Sequence, residues 1–361
     1  MSTSTLTPQR SSAAPVNPLT AGQLPRWVAW AVGAGSIVIG ALITMLTLGN
    51  LHLGVLTLLS AITFVVVMHV ASLTIEGGRR ATDRLAQHLV YGMFLLALLP
   101  LVSVTWTTLA SGVARMDLQF FTYSMRNIVG AGGGAAHAIS GTLWVTGIAT
   151  VISVPIGLLT AVYLSEYGRG ALARGITFFV DVMTGVPSIV AGLFAYALMA
   201  LILGPGTVSA LAGAIALSVL MIPVVVRSTE ELLRIVPNEL REASYALGVP
   251  KWKTIMRIVI PTAISGIVSG VILAVARIIG ETAPLMIAAG FTQSLNSNPL
   301  RDPMMTLPVF VYDSYARPGI PREPYWDRAW AGALTLILIV MLLNLLGRVI
   351  AKRFAPKTGR K

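Results

Sequence analysis

Residues 239–261 read ELREASYALGVPKWKTIMRIVIP, a polar and charged interval set between long apolar runs. It carries its own helix grammar. Asn238 stands where a side chain caps a helix opening after Val236-Pro237, and Glu239 falls in the first turn, where the positive helix end favours a carboxylate. Gly248 closes the helix, because glycine enters a left-handed C-terminal cap without steric cost, and Pro250 cannot continue it. Lys251, Lys253 and Arg257 then alternate with Trp252, Ile255, Met256 and Ile258 as far as Pro261, after which the chain stays apolar for about a membrane thickness. The stretch predicts two short helices meeting at a glycine elbow beside a bilayer. Leu240, Ala243 and Leu247 share one stripe of the first helix, and Ala243 is small enough to let a partner groove approach. The competing reading is a helix lying on anionic lipid, which the following basic residues suit.

The rest of the chain fits a membrane setting. Its 361 residues are 55% hydrophobic and 11% charged, with a mean hydropathy of +0.79, which excludes an ordinary soluble domain. Residues 1–26, rich in Ser, Thr, Pro and Ala, are expected to be a disordered cytoplasmic tail. Apolar runs at 27–49 and 51–75 predict a transmembrane hairpin over 27–75, the first run being too long for the core of a signal peptide. Further runs at about 88–112, 138–165, 172–203, 208–228, 261–291 and 327–351 each exceed the roughly 20 residues that cross hydrocarbon. The expectation is an all-α polytopic membrane protein of about eight transmembrane helices, a six-helix core within 76–361 preceded by the hairpin. Pro100, Pro155, Pro187, Pro223 and Pro284 fall inside these runs as expected kinks. Gly266 and Gly270 form a GxxxG face suited to close helix packing.

The formal charge of +12 has a topological explanation and implies no nucleic acid partner. With a cytoplasmic N-terminus, Arg79, Arg80, Arg84, Arg169, Arg174 and the basic residues of 227–257 and 348–361 lie inside. Only Arg115, Arg126, Arg301, Arg317, Arg322 and Arg328 lie outside. That bias puts both termini and the 239–261 loop in the cytoplasm. Of the external segments, 113–137 contains a flexible GAGGGAA stretch. Residues 292–326 are polar, proline-rich and aromatic, suited either to docking an extracytoplasmic partner or to an interfacial aromatic belt.

Chemistry is sparse. There is no cysteine, and the four histidines do not recur at ligand spacing, so no metal site is expected. No GxxxxGK[ST] and no GxSxG occurs, so the chain is expected neither to bind ATP through a P-loop nor to catalyse hydrolysis. Energy must come from a partner ATPase or an ion gradient. Arg277 and Glu281, within ARIIGETAP at 276–284, are four residues apart, hence on one helix face and able to pair. Charge at membrane depth is costly and faces a pathway or a partner. Either Arg277 lines the passage of an anion, for which a planar guanidinium suits phosphate, or the pair only sets helix register. Arg227 reads as an exit-side anion contact or a snorkelling arginine, and Asp181 as a hydrogen bond to a neighbouring helix. Thr184 and Ser188 offer hydroxyls near the Pro187 break, where free backbone amides also meet anions.

Glu242-Ala243-Ser244, Gly248, Ile258 and Pro261 resemble the EAA loop of ABC importer permeases, with Ser244 and Ile260 in place of alanine and leucine. VVVRSTEELLRIVPNELREASYALG (224–248), ARIIGETAPL (276–285), TLPVFVY (306–312), GTLWVTGIATVISVPIGLLTAVYLSEY (141–167) and TGVPSIVAGLF (184–194) extend the likeness over about 120–350. Over that span the chain is similar to PstA-type permease subunits of the bacterial phosphate ABC importer. The resemblance implies a type I importer fold in the bacterial cytoplasmic membrane and no cofactor on this chain. It also implies a PstC-like permease, a PstB-like ATPase dimer carrying ATP and Mg, and a PstS-like phosphate-binding protein. Glu239, Leu240, Glu242, Ala243, Leu247 and Gly248 would then dock on the ATPase. The family's charged pair supports the pathway reading of Arg277 and Glu281, beside which Arg227, Thr184 and Ser188 stand as candidates. A PstC-type or sulfate-type oxyanion permease is the alternative within the class. A gradient-driven transporter, with the charged pair relaying protons, is the alternative outside it. Residues 27–75 do not belong to the usual six-helix core, and membrane lipid is their expected neighbour.

Overall fold

The computed structural model describes residues 23–50 and 52–354. The tail expected over 1–26 lies outside the described residues as far as residue 22, as do residues 51 and 355–361. The chain divides into two compact units, residues 1–104 and 105–361.

In the first unit, α1 (Arg26–Leu48) and α2 (Leu53–Ile75) pack on each other as the expected hairpin, and α3 (Gly78–Gly112) follows almost at once. Glu76, between α2 and α3, gathers this unit's polar contacts. Its carboxylate accepts the Leu24 amide at 2.7 Å, the Ser72 hydroxyl at 2.6 Å and the Arg84 guanidinium at 2.7 Å. Burial alone would raise its pKa, but these three donors outweigh burial and hold it below the usual carboxylate value.

The second unit is built on α8 (Ala210–Ile235), whose buried residues include Ala210, Ala212, Gly213, Ala214 and Ala216. Small side chains let neighbours approach closely, as in other bundles packed without a hydrophobic drive between helices. After α4 (Leu118–Thr122), α5 (Ala136–Val162) crosses α8 and ends in a wider π-type turn, Tyr163–Tyr167. Next come α6 (Gly170–Thr184) and α7 (Ser188–Leu203). Beyond α8 lie α9 (Asn238–Ala246) and α10 (Lys251–Thr254), a second π-type segment Ile255–Val259, and α11 (Ile260–Ile278). The chain closes with α12 (Ala283–Ala288), α13 (Leu307–Ala316) and α14 (Glu323–Phe354). The GxxxG face of α11 meets α8: a Cβ on Gly266 would lie 2.6 Å from Leu232 Cδ2, and one on Gly270 3.0 Å from Ser228 Oγ.

Among the described residues, seven helices are long and apolar enough to cross a membrane, or eight if the bent pair α6–α7 is one span. The structure refines several of these expectations. The 172–203 run is interrupted beside Pro187, as that proline predicts, and turns by 108° between α6 and α7. The 261–291 run is helical only to Ile278 and resumes for one short piece as α12. The 292–326 segment, read as a docking surface or an interfacial aromatic belt, also enters the core: Met304–Phe310 is buried, with Leu307 N donating to Thr142 Oγ1 at 2.7 Å. Its TLPVFV sequence is apolar enough to enter the core once the backbone amide finds that hydroxyl. The glycine stretch expected to be flexible is held in place. Arg328, 1% exposed, donates to the carbonyls of Gly130 at 2.6 Å and Gly132 at 3.0 Å. Arg115 donates to that of Gly133 at 2.8 Å.

Candidate functional site

The elbow forms with one departure from expectation. Asn238 is the first residue of α9 rather than its cap, Pro237 precedes it, and its amide oxygen accepts from Arg241 at 3.3 Å. At the other end Gly248 has φ +74°. Its amide bonds Tyr245 O at 2.9 Å, and the next amide, Val249, bonds Ser244 O at 3.2 Å. That pattern satisfies two carbonyls at the helix end and requires a left-handed residue at 248. Ser244, the departure from the EAA pattern, is buried and shares a hydrogen bond with Thr254 at 2.8 Å. α9 is thereby tied to α10. Glu239, Leu240, Glu242, Ala243, Leu247 and Gly248 are all exposed, Leu247 to 83%.

Two residues that the motif does not contain anchor the elbow to the bundle. Arg241 Nη2 meets Glu166 Oε1 at 2.7 Å, with the two side chains only 13% and 5% exposed. Arg241 also donates to Val236 O at 2.6 Å and Leu233 O at 2.9 Å, supplying partners to carbonyls that the end of α8 leaves free. Lys251 bonds the carbonyl of Glu166 and lies over the Tyr167 ring at 4.8 Å. No local spacing announces these contacts, since Glu166 and Arg241 are 75 residues apart.

The second site is a cavity of about 240 Å3 where two interrupted helices face each other. One interruption is residues 185–187, between α6 and α7; the other is 279–282, between α11 and α12. Thr184, Ser188, Arg277 and Glu281 all line it, together with Pro223 and Val224 of α8. α7 and α12 close on one another because Gly192 has no side chain: a Cβ there would lie 2.7 Å from Pro284 Cα.

Within this cavity Arg277 and Glu281 do not make the contact that their spacing allows on a continuous helix. α11 stops at Ile278, so Glu281 does not stand one turn along from Arg277, and no ion pair joins them. Both face the cavity without a hydrogen-bond partner among the described residues. The Thr184 hydroxyl donates to Val180 O at 2.9 Å, while Ser188 bonds nothing among the described residues. Arg227 is outside the cavity lining. It pairs with Asp181, which thereby makes the interhelix contact expected of it, and with Glu230 Oε2 at 3.2 Å. Arg234 holds the other oxygen of Glu230 at 2.6 Å. The cavity holds one guanidinium, one carboxylate and a free hydroxyl between broken helices; the planar donors of Arg277 suit a small anion, while the Glu281 carboxylate opposes one.

The family described as binding-protein-dependent transport system inner membrane component matches residues 153–360, and the chain belongs to that family. Its fold is that of an importer membrane subunit. It resembles the bacterial alginate ABC transporter solved with an alginate pentasaccharide-bound periplasmic protein, at TM-score 0.54 and 14% identity, covering 78% of this chain and all of that one. Among curated relatives, the phosphate transport system permease protein PstA 1 of Mycobacterium tuberculosis is 47% identical over 286 residues, 78% of this chain and 91% of the relative. PstA of Yersinia pestis is 40% identical over 287 residues, 78% and 93% of the two chains.

Proposed function

We propose that this chain is the PstA-type permease subunit of an ATP-driven phosphate importer of the cytoplasmic membrane. The observation that carries the reading is 47% identity to a PstA permease over nine-tenths of that relative's length. The cavity is of a kind that serves such cargo, because Arg277 presents planar paired donors at the meeting point of two helix breaks. A second permease completes the passage on the side where Arg277 is exposed, a binding protein delivers phosphate, and an ATPase dimer binds ATP and Mg. This chain contributes no catalysis.

Both termini and the elbow face the cytoplasm in this reading, as the arginine and lysine bias supports. Closure of the ATPases pushes on the exposed stripe of Leu240, Ala243 and Leu247. Because Ser244 is bonded to Thr254 and Arg241 to Glu166, a push on α9 reaches both α11 and α5. α11 lines the cavity through Arg277 and Ile278, and α5 packs on α8, which lines it through Leu220, Pro223 and Val224, so the cavity is opened alternately to the two sides.

Reconstitution of the chain with its second permease, ATPase and binding protein tests this directly. Phosphate-loaded binding protein is expected to stimulate ATP hydrolysis and uptake. Stimulation by sulfate in place of phosphate would overturn the cargo assignment. Uptake driven by an ion gradient without the ATPase would overturn the class.

A further inference from the structure

A second cavity, of about 360 Å3, lies on the elbow side of the first. Both run along the same two helices. The first touches Thr184 of α6 and Pro223 and Val224 of α8. The second touches Arg174, Thr177 and Asp181 of α6 and Glu230 and Arg234 of α8. Followed from 184 towards 170, and from 220 towards 235, both helices lead to the elbow. The end of the second cavity nearer the first is a layer of charge, with Asp181 and Glu230 in its lining and Arg227 joined to both. Asp181 is about one helical turn from Thr184, and Arg227 about one turn from Val224, and Asp181 pairs with Arg227, which pairs with Glu230.

We propose that the Asp181–Arg227–Glu230 layer is the gate on the elbow side of the anion cavity. Arg227 leaves Asp181 to take a passing oxyanion and hands it to Arg174 and Arg234 in the second cavity. The inference rests on the anion-importer reading and adds an exit route with its own residues.

The two carboxylates of the layer are unequal, which decides the half that opens. Glu230 is 5% exposed and is also held by Arg234, so it keeps its partners. Asp181 is 58% exposed, and an exposed carboxylate gives up an ion pair at little cost because water replaces it. Arg174 is exposed and has no partner among the described residues, leaving its guanidinium available to the departing anion.

Because the chain contains no cysteine, accessibility can be read from a single introduced thiol. Val186→Cys places it in the first cavity. The complete importer, in inside-out vesicles without ATP, is treated with a membrane-impermeant thiosulfonate carrying a sulfonate, and modification of this chain is followed by mass. Asp181→Asn and Arg227→Gln are each expected to speed labelling by about two- to five-fold, the opening gained when a partly exposed ion pair is lost. The swap of Asp181→Arg with Arg227→Asp is expected to return labelling to the slow rate without restoring phosphate uptake, since a carboxylate then occupies the route. Equal labelling rates in the Val186→Cys parent and in all three variants overturn the gate. Uptake restored by the swap overturns the handover. Should Arg227→Gln fail to assemble, Asp181→Asn decides the gate by itself. Absence of ATP-driven phosphate uptake in the unmodified importer would instead overturn the functional reading, leaving the labelling rates to judge the gate.

Discussion

Replacing Glu166 with Gln removes the countercharge of Arg241 while nearly preserving shape. Arg241 is 13% exposed and Glu166 5%, so the guanidinium is left largely out of water with three backbone carbonyls and one amide oxygen for company. Breaking one side of a buried pair costs about 3–5 kcal/mol. The remaining carbonyl acceptors put Glu166→Gln near about 3 kcal/mol. Arg241→Gln costs more, because it also strips the partners of Leu233 O and Val236 O, about 1 kcal/mol for each lost bond. With both residues changed, the total should fall below the sum of the singles by about 1–3 kcal/mol, since the pair acts as a unit. The assay is denaturant unfolding of the full chain in detergent, run beside the ratio of phosphate imported to ATP hydrolysed in the reconstituted importer. Glu166→Gln is expected to lower both, with ATP hydrolysis itself persisting. Single variants that shift stability by less than about 0.5 kcal/mol and sum additively would refute the transmission of force from α9 to α5 through this pair.

Arg277→Gln should abolish phosphate uptake with little change in unfolding midpoint, because Arg277 holds no partner among the described residues to lose; a large loss of stability would assign it a structural role instead. Gly248→Val should uncouple ATP hydrolysis from uptake while Gly248→Asn retains much of the coupling. Open space surrounds that position, so the cost of about 1–2 kcal/mol comes from φ +74° alone. Gly192→Leu should destabilise by at least about 1–3 kcal/mol, by forcing α7 off Pro284, and should shift the unfolding midpoint accordingly. Glu76 is held below its ordinary value of 4.5, so its contribution is present at neutral pH and fades as acid carries the solution below that value and through the lowered one. Glu76→Gln should remove this part of the acid sensitivity, measured as unfolding midpoint against pH.

Local grammar carried the elbow far. Pro237, Gly248 and Pro250 bound α9 in the structure because φ restrictions on proline and glycine act within a residue or two of where they stand. Hydrophobic length likewise marked the spans, since the thickness of hydrocarbon sets the run that crosses it. The same rules could not say what each proline does. Pro155 and Pro223 sit inside continuous helices, while Pro187 follows Gly185 at a turn of 108°. Which helices break depends on neighbours that satisfy or displace the freed carbonyls. The four-residue spacing of Arg277 and Glu281 implied a pair only so long as α11 continued, and it ends at Ile278.

From its sequence alone the chain was determined to be a multi-span helical membrane protein with a glycine elbow between α8 and α11, because spans and caps are written in contiguous residues. Only the tertiary structure decided that Thr184, Ser188, Arg277 and Glu281 share one cavity, that Arg227 is taken by Asp181 and Glu230, and that Arg241 finds Glu166. These contacts join side chains far apart in the chain, and which of them meet is set by how closely packed helices approach, which no local pattern of residues encodes.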